Sequence, residues 1–447
     1  MCSWSGVHRV VFRSIIKVSL VSLNDVLCLS ARVLCEVMRG RSLPNALSIV
    51  PISNFQLPAV RFASYDVVRN LNYVEAVLSS RLISGRGRKW TPFFHSLMLV
   101  AISKLDADTD HAYAIVDQVV AIVKRGRHGY LSGLANAVLR GYLRERESLQ
   151  ERLLKSDSLR YRLPEWWIVR LRELYPDNWE ELAQTLLGHP PMSLRVNRRK
   201  ISLQKYRDIL DSLTFYHRAI NPSAIVLNSP CSQSGLPYYE EGYVSVQDFG
   251  AQQVTAFMNL KEGDCLLDAC CGSGGKLTAI LESFDGIVAT AVDSCSDRLF
   301  RLRGELSRLG LEATAVHADL FDVSSWWDGR LFDAIVLDVP CSGSGSVRRH
   351  VCAKWNKKEE DLLNFAGIQS NMLATVWPLL KRGGQLLYVT CSLFEEENTF
   401  PLKALTERFT DVFVACLSEQ QGSRRWGVCL CPGPYSDGFF YASLTKK

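Results

Sequence analysis

Between residues 265 and 391 the chain alternates short apolar runs with helix-periodic segments, and this pattern constrains the fold more than any other feature. CLLDAC, GIVATAVD, EATAVHAD, FDAIVLDVP and GGQLLYVTCS read as strands. GKLTAILESF and DRLFRLRGELSRLG read as helices, and a later long helix is predicted to end near Lys381. Alternation at this period predicts a doubly wound, mostly parallel α/β sheet from about residue 241 onward. Such sheets bind ligands beyond the carboxyl ends of their strands. The residues with chemical potential fall at those ends.

DACCGSGGK (268–276) joins the first strand of this region to its helix. Gly272, Gly274 and Gly275 let the backbone approach a ligand, and the helix start offers unpaired N–H groups. The loop is not a phosphate-binding Walker A sequence, because Lys276 is followed by Leu277. Asp293 ends the next strand, placed to accept hydrogen bonds from ribose hydroxyls. Asp319 ends the third, placed to meet an adenine amino edge. A glycine loop followed by two strand-end acids fits a nucleoside cofactor without a long phosphate chain. S-adenosylmethionine fits best, with its carboxylate at the helix start; NAD and FAD stay open.

Two cysteines also close strands, in DVPCSGSG (338–345) and VTCS (389–392). A buried cysteine is ordinarily an inert small hydrophobe. Two of them on the ligand edge of one sheet, one of them three residues after Asp338, point instead to covalent chemistry. A thiolate beside a methyl donor suits methylation at C5 of a pyrimidine. Addition of sulfur at C6 makes C5 nucleophilic, and the sulfur leaves after methyl transfer. Asp338 is suited to hold the N3 and amino edge of cytosine. The residues alone do not say which cysteine attacks.

Residues 1–250 carry a net charge of +10 and residues 251–447 a net charge of −4. A basic front half suggests a polyanionic partner. Four helix-periodic segments occupy residues 28–150, with Arg81, Arg86, Arg88, Lys89, Lys124, Arg125 and Arg127 in or beside turns. There they either meet phosphates or serve as solvated charges. Residues 153–240 mix two helices with a short strand and a basic turn. The 14 cysteines are scattered, without a CxxC…CxxC pattern, so no metal site is expected. Such usage fits a reducing cytosol, and a cytoplasmic location is expected. Arg13, Lys17, Asn24 and Asp25 interrupt the apolar residues 9–34, so neither a signal peptide nor a membrane span is expected.

Pro340-Cys341-Ser342 and Thr390-Cys391-Ser392 resemble the PCS and TCS signatures of the Sun/Nol/Nop family of RNA cytosine-5 methyltransferases. GYVSVQDFGAQQV (242–254), SVRRH…KW, IQS, WPLLKRGGQLLYVTCSLFEEEN and DGFFYASLTK resemble its other segments, in order and spacing. PPMSLRVNRRKIS resembles its linker subdomain. HAYAIVDQVVAIVKRG…GLANAVLRGY resembles the helical RNA-binding domain shared with the antitermination factor NusB. The similarity spans roughly residues 28–447 and is greatest to the bacterial ribosomal branch.

The resemblance implies an N-terminal all-α NusB-like domain at 28–152, a small α/β linker subdomain at 153–240 and a C-terminal α/β Rossmann-like class I methyltransferase domain at 241–447. Residues 1–27 are then an extension or an upstream start chosen in error. It implies S-adenosylmethionine-dependent formation of 5-methylcytosine in 16S rRNA, at cytosine 967 in rRNA numbering. The expected partner is RNA, with no membrane association and a monomeric enzyme. It assigns attack to Cys391, release to Cys341 and contact with cytosine and cofactor to Asp338. Cys270, Cys271, Gly272, Ser273, Gly274, Gly275, Lys276, Asp293 and Asp319 would hold the cofactor. Two departures stand out. The family loop CAAPGGK reads CCGSGGK here, and RRHPD reads Arg348-Arg349-His350-Val351-Cys352. Alternative readings are a tRNA cytosine-5 methyltransferase, a non-catalytic RNA-binding assembly factor and, least favoured, a dehydrogenase.

Overall fold

The computed structural model describes residues 21–81, 90–127, 129–221, 223–415, 423–424 and 426–447. Arg86, Arg88, Lys89 and most of the expected N-terminal extension lie outside the described residues. The chain divides into two compact units, one running to Glu173 and including Lys354–Asn356, the other holding the remainder.

The first unit is all-α. Helix Pro92–Ala107 is largely apolar from Phe94 to Ile102, and that stretch is buried among its neighbours, including Leu23–Met38 and Leu57–Arg69. Thr91 caps its start by accepting the Phe94 N–H, and Ser22 and Ser42 cap two other helices in the same way. Helix Ala112–Arg125 ends in Lys124 and Arg125, which with Arg127 are exposed where cations complement the helix dipole. Arg81 behaves differently from the expectation of a phosphate contact. Its guanidinium is largely buried and pairs with Glu145 at 2.7 Å, so its charge is used within the unit.

The second unit holds two sheets. The smaller is antiparallel, built from β1 (Met192–Val196), β2 (His217–Asn221), β3 (Ala224–Leu227) and β4 (Val244–Val246) in the order β2-β3-β1-β4. The larger contains β5 (Cys265–Asp268), β6 (Val288–Asp293), β7 (Thr314–His317), β8 (Phe332–Asp338), β9 (Leu380–Thr390), β10 (Val412–Val414), β11 (Ser423–Arg424), β12 (Gly427–Leu430) and β13 (Phe439–Lys446). Its order is β11-β12-β13-β9-β8-β5-β6-β7, with β10 also paired to β13. The strands from β7 to β9 are parallel; β13 and those beyond it run antiparallel. The chain moves outward from β5 through β6 to β7, then returns to β8 on the other side of β5. The carboxyl ends of β5 and β8 therefore flank the switch point where a crevice opens.

The helix predicted to end near Lys381 stops at Val376. Pro378 lacks an N–H and cannot continue it, so a short 3₁₀ turn intervenes and Lys381 belongs to β9. Gly345 and Gly438 meet backbone to backbone: a Cβ on Gly345 would lie 2.5 Å from the Gly438 carbonyl oxygen. This contact brings the segment after β8 against the start of β13.

One buried ion pair joins the two sheets of this unit. Arg195 on β1 donates to both oxygens of Glu282, each at 2.8 Å, and to Thr278 Oγ1 at 3.0 Å. Glu282 and Thr278 lie on helix Gly275–Ser283, which follows the glycine loop. Removing one partner strands the other's charge out of water. Glu282→Ala is expected to lower stability by about 3–5 kcal/mol, and the double change Arg195→Met/Glu282→Leu by clearly less than the two single changes combined. Chemical denaturation of the three variants measures both.

Candidate active site

β8 and β9 pair in parallel with Asp338 opposite Val389, and the Val339 N–H bonds the Val389 carbonyl at 3.1 Å. Their carboxyl ends therefore leave the sheet side by side. Cys341 and Cys391 come together with their sulfurs 3.3 Å apart. Both are only partly covered, so a reagent can reach them. The Gly345 N–H bonds the Cys391 carbonyl at 2.9 Å, and the Ser346 hydroxyl lies 3.6 Å from the Cys391 sulfur.

The two thiols are electrostatically unlike. The hydrogen bond between the two thiols holds Cys391 below the ordinary thiol range, against its burial; Ser346 and the Lys276 charge add to the effect. The same hydrogen bond, with burial and the charge on Cys391, pushes Cys341 well above that range. A thiolate is the reactive form of cysteine, and of the two thiols Cys391 is the more readily ionised.

The glycine loop connects this pair to a cavity. Gly272 and Gly274 have left-handed backbone conformations, with φ of 56° and 83°. A Cβ on Gly274 would also meet Leu302 at 2.2 Å. A cavity of about 450 Å³ is lined by Asp268, Cys270, Cys271, Gly272, Ser273, Gly275, Lys276 and Asp338, with Gln247, Arg298 and Arg301 on its other sides. Lys276 Nζ lies 2.5 Å from Asp338 Oδ2. Burial alone would lower the Lys276 pKa, but the Asp338 carboxylate outweighs it and holds it above the ordinary lysine value. Burial, with the charge of Asp268, pushes the Cys270 and Cys271 thiols far up, so they line the cavity as uncharged groups.

Asp293 and Asp319 stand at their strand ends but do not line this cavity. The Asp293 carboxylate accepts the N–H groups of Gly272 and Cys295, both at 2.9 Å, and so shapes the loop itself. Asp319 accepts the Phe321 N–H at 3.0 Å. Arg348 is buried and, like Arg349, bonds Asp437, the acid of the DGFF segment. Arg349 also bonds Asp248 at 2.7 Å. The departure after His350 places Val351 in the core at 1 % exposure.

Sequence reasoning did not single out Asp268. It ends β5 as the only charged residue of CLLDAC, which is the available signal. It is 1 % exposed, and its Oδ1 has no hydrogen-bond partner. Burial, reinforced by the Asp338 charge, pushes its pKa up to about 7. A buried carboxylate oxygen facing a cavity calls for a cationic ligand group. The ammonium of an amino-acid tail, as in S-adenosylmethionine, satisfies it, and the donor set fits that cofactor.

A family model described as 16S rRNA methyltransferase RsmB/F matches residues 255–445, a ferredoxin-like domain of RsmF/B-like methyltransferases matches 163–234, and the NusB family matches 38–144. The chain is 35 % identical to ribosomal RNA small subunit methyltransferase B of Vibrio cholerae over 91 % of its own length and 94 % of the relative's. The chain belongs to the RsmB/F family of 16S rRNA methyltransferases. It is 34 % identical to the Escherichia coli protein of the same name, over 92 % of this chain and 96 % of that one. Among solved structures, PH0851 has the same fold over 96 % of this chain and 100 % of its own, at a TM-score of 0.77 and 19 % identity. A methyltransferase homologue from Pyrococcus horikoshii covers 65 % of this chain and 97 % of its own, with a TM-score of 0.57 and 26 % identity. The RsmB/F architecture accounts for the all-α NusB domain, the small α/β subdomain and the Rossmann-like methyltransferase sheet. No described helix is long and apolar enough to cross a membrane.

Asp268→Asn should weaken binding of S-adenosylhomocysteine by about tenfold or more, the size of a lost charge-assisted hydrogen bond. The carboxylate must be ionised to receive an ammonium. Wild-type affinity should therefore fall as pH drops through about 7, and the Asn variant should lose that dependence. Titration calorimetry over this range checks both.

Proposed function

We propose that the protein transfers a methyl group from S-adenosylmethionine to C5 of a cytosine in 16S rRNA through a covalent adduct between Cys391 and C6. The family's target, cytosine 967 in rRNA numbering, is the expected position. The observation that carries this reading is the pair of sulfurs 3.3 Å apart at the paired carboxyl ends of β8 and β9, beside Asp338 and the glycine-loop cavity.

The cofactor supplies an electrophilic methyl group on a sulfonium beside this pair. Asp268, Cys270, Cys271, Gly272, Ser273, Gly275 and Lys276 hold it, with Asp293 bracing the loop. Asp338 is shared between cofactor cavity and base, and its ion pair with Lys276 holds it in place. The Cys391 thiolate adds to C6, and electron density moves to C5 as Asp338 accepts from the amino group and shares a proton with N3. After methylation a solvent water takes the C5 proton, the C5–H electron pair re-forms the C5–C6 double bond, and the C6–sulfur bond breaks with its pair leaving on Cys391 as a thiolate. Cys341 stands beside the leaving sulfur, 3.3 Å away, and stabilises the departing thiolate by donating its S–H to it. The cytosine must be splayed out of its RNA context to reach these groups. The basic NusB domain, with Lys124, Arg125 and Arg127 exposed, supports RNA binding through phosphates, and the protein works as a cytoplasmic monomer.

The identities to rRNA enzymes favour rRNA over tRNA. The prepared thiolate, which a purely RNA-binding factor has no use for, favours an enzyme. Cys391→Ala should abolish transfer of labelled methyl groups to 16S rRNA. Cys341→Ala should retain adduct formation and accumulate an RNA-linked band on denaturing gels. Transfer at the normal rate by Cys391→Ala would falsify the nucleophile assignment.

A further inference from the structure

Past β9 the chain turns into the short helix Glu395–Asn398, and the third of its three consecutive glutamates is fully buried. Glu397 Oε1 accepts the Ser342 N–H at 2.6 Å, and Oε2 accepts the hydroxyls of Ser342, at 2.6 Å, and of Ser392. Ser342 and Ser392 are the residues directly after Cys341 and Cys391. One carboxylate thus grips both strand-end turns from beneath. Gln369 donates to the Pro340 carbonyl at 2.9 Å and approaches Glu397 Oε1 at 3.4 Å. Asn398, next in the chain, donates to the Ser392 carbonyl at 3.0 Å and accepts the Thr390 hydroxyl at 2.6 Å.

Among the described residues Glu397 enters no ion pair; burial pushes its pKa up, and only the neutral donors Ser342, Ser392 and Gln369 work against that to keep it charged. Burying a carboxylate without a cation is costly, and a neutral side chain of the same shape would close the turns at lower cost. We infer that Glu397 is a positioning residue that fixes the two thiols in register and makes them chemically unlike. This rests on the two-thiol reading above and deepens it. The low acidity of Cys341 and the prepared state of Cys391 both begin with the hydrogen bond between them, and that bond exists only while the two turns stay clamped. The carboxylate charge adds to the field that keeps Cys341 protonated. The charges facing Cys391 are Lys276 and Asp338 from the cofactor side.

The test uses full-length protein free of RNA and cofactor, iodoacetamide as the thiol probe, and peptide mass spectrometry to resolve the two cysteines across neutral to alkaline pH. In the wild type, Cys391 should label at lower pH than Cys341. Glu397→Gln keeps the shape, removes the charge and turns one acceptor into a donor. The Cys341 labelling profile should then move down towards that of Cys391 by about one pH unit, speeding its labelling below the midpoint by about tenfold. Thermal stability and S-adenosylhomocysteine affinity should stay near wild type. On rRNA the loss should appear in kcat, with the KM for cofactor unchanged. Ser342→Ala, which releases one turn and keeps the charge, should reproduce part of the shift and stands in if the Gln variant fails to fold. Wild-type labelling profiles in a folded Glu397→Gln protein, or in Ser342→Ala if that variant is used, would overturn the inference. If the wild type methylates no rRNA yet Glu397→Gln abolishes the difference between thiols, the clamp stands and the proposed function fails.

Discussion

Everything at the catalytic edge depends on the parallel pairing of β8 with β9. Parallel strands bring like ends together, so the residues that follow each strand emerge at the same rim. Asp338 and Val389 are register partners, and the next residues carry Cys341 and Cys391 outward together. A slip by one residue would turn each inward side chain outward and separate the sulfurs. The apolar stretches of both strands, buried on the sheet's two faces, hold that register. Core packing and reactivity are therefore linked through a few backbone hydrogen bonds.

The charges at this rim form a connected series. Asp268 and Asp338 face the cofactor cavity with Lys276, while the cysteine pair lies just beyond Asp338. Lys276 belongs to both neighbourhoods: it pairs with Asp338 and also lowers Cys391. Asp268, Asp338 and Lys276 lie close enough that a change of charge at one alters the field at the others. Cys270 and Cys271, close to the same acids, remain uncharged because burial and those acids both oppose ionisation.

Much of this was legible in the primary structure because strand ends carry their own markers. Apolar runs stop at Asp268, Asp293, Asp338 and Thr390, and each stop lies at the ligand-binding rim. The loop CCGSGGK and both cysteine turns were found by that logic. Other features were hidden for definite reasons. Of the three glutamates 395–397 only the last is fully buried, and nothing in a run of identical residues marks which one faces inward. Arg81 resembles a phosphate ligand until Glu145, distant in sequence, comes beside it. The end of the long helix was misplaced because apolar periodicity continues across Pro378 into β9. Asp293 sits where a ribose would want it, yet both carboxylate oxygens already serve backbone N–H groups, a use visible only once the loop is folded.

The antiparallel neighbour of β9 has a consequence for how the molecule is made. β9 is flanked by β8, which precedes it, and by β13, where Phe440 pairs with Thr390 just before the nucleophile. As the chain leaves the ribosome, β9 is synthesised well before β13, and until then one of its edges is open. An unpaired apolar edge invites association with other chains and tethers the thiol loop poorly. The turn that carries Cys391 is therefore completed late in synthesis, once the segment carrying Asp437, Gly438 and Phe440 has packed beside it. A nascent chain that has made Cys391 but not β13 holds the cysteine without one of the two strands that frame it.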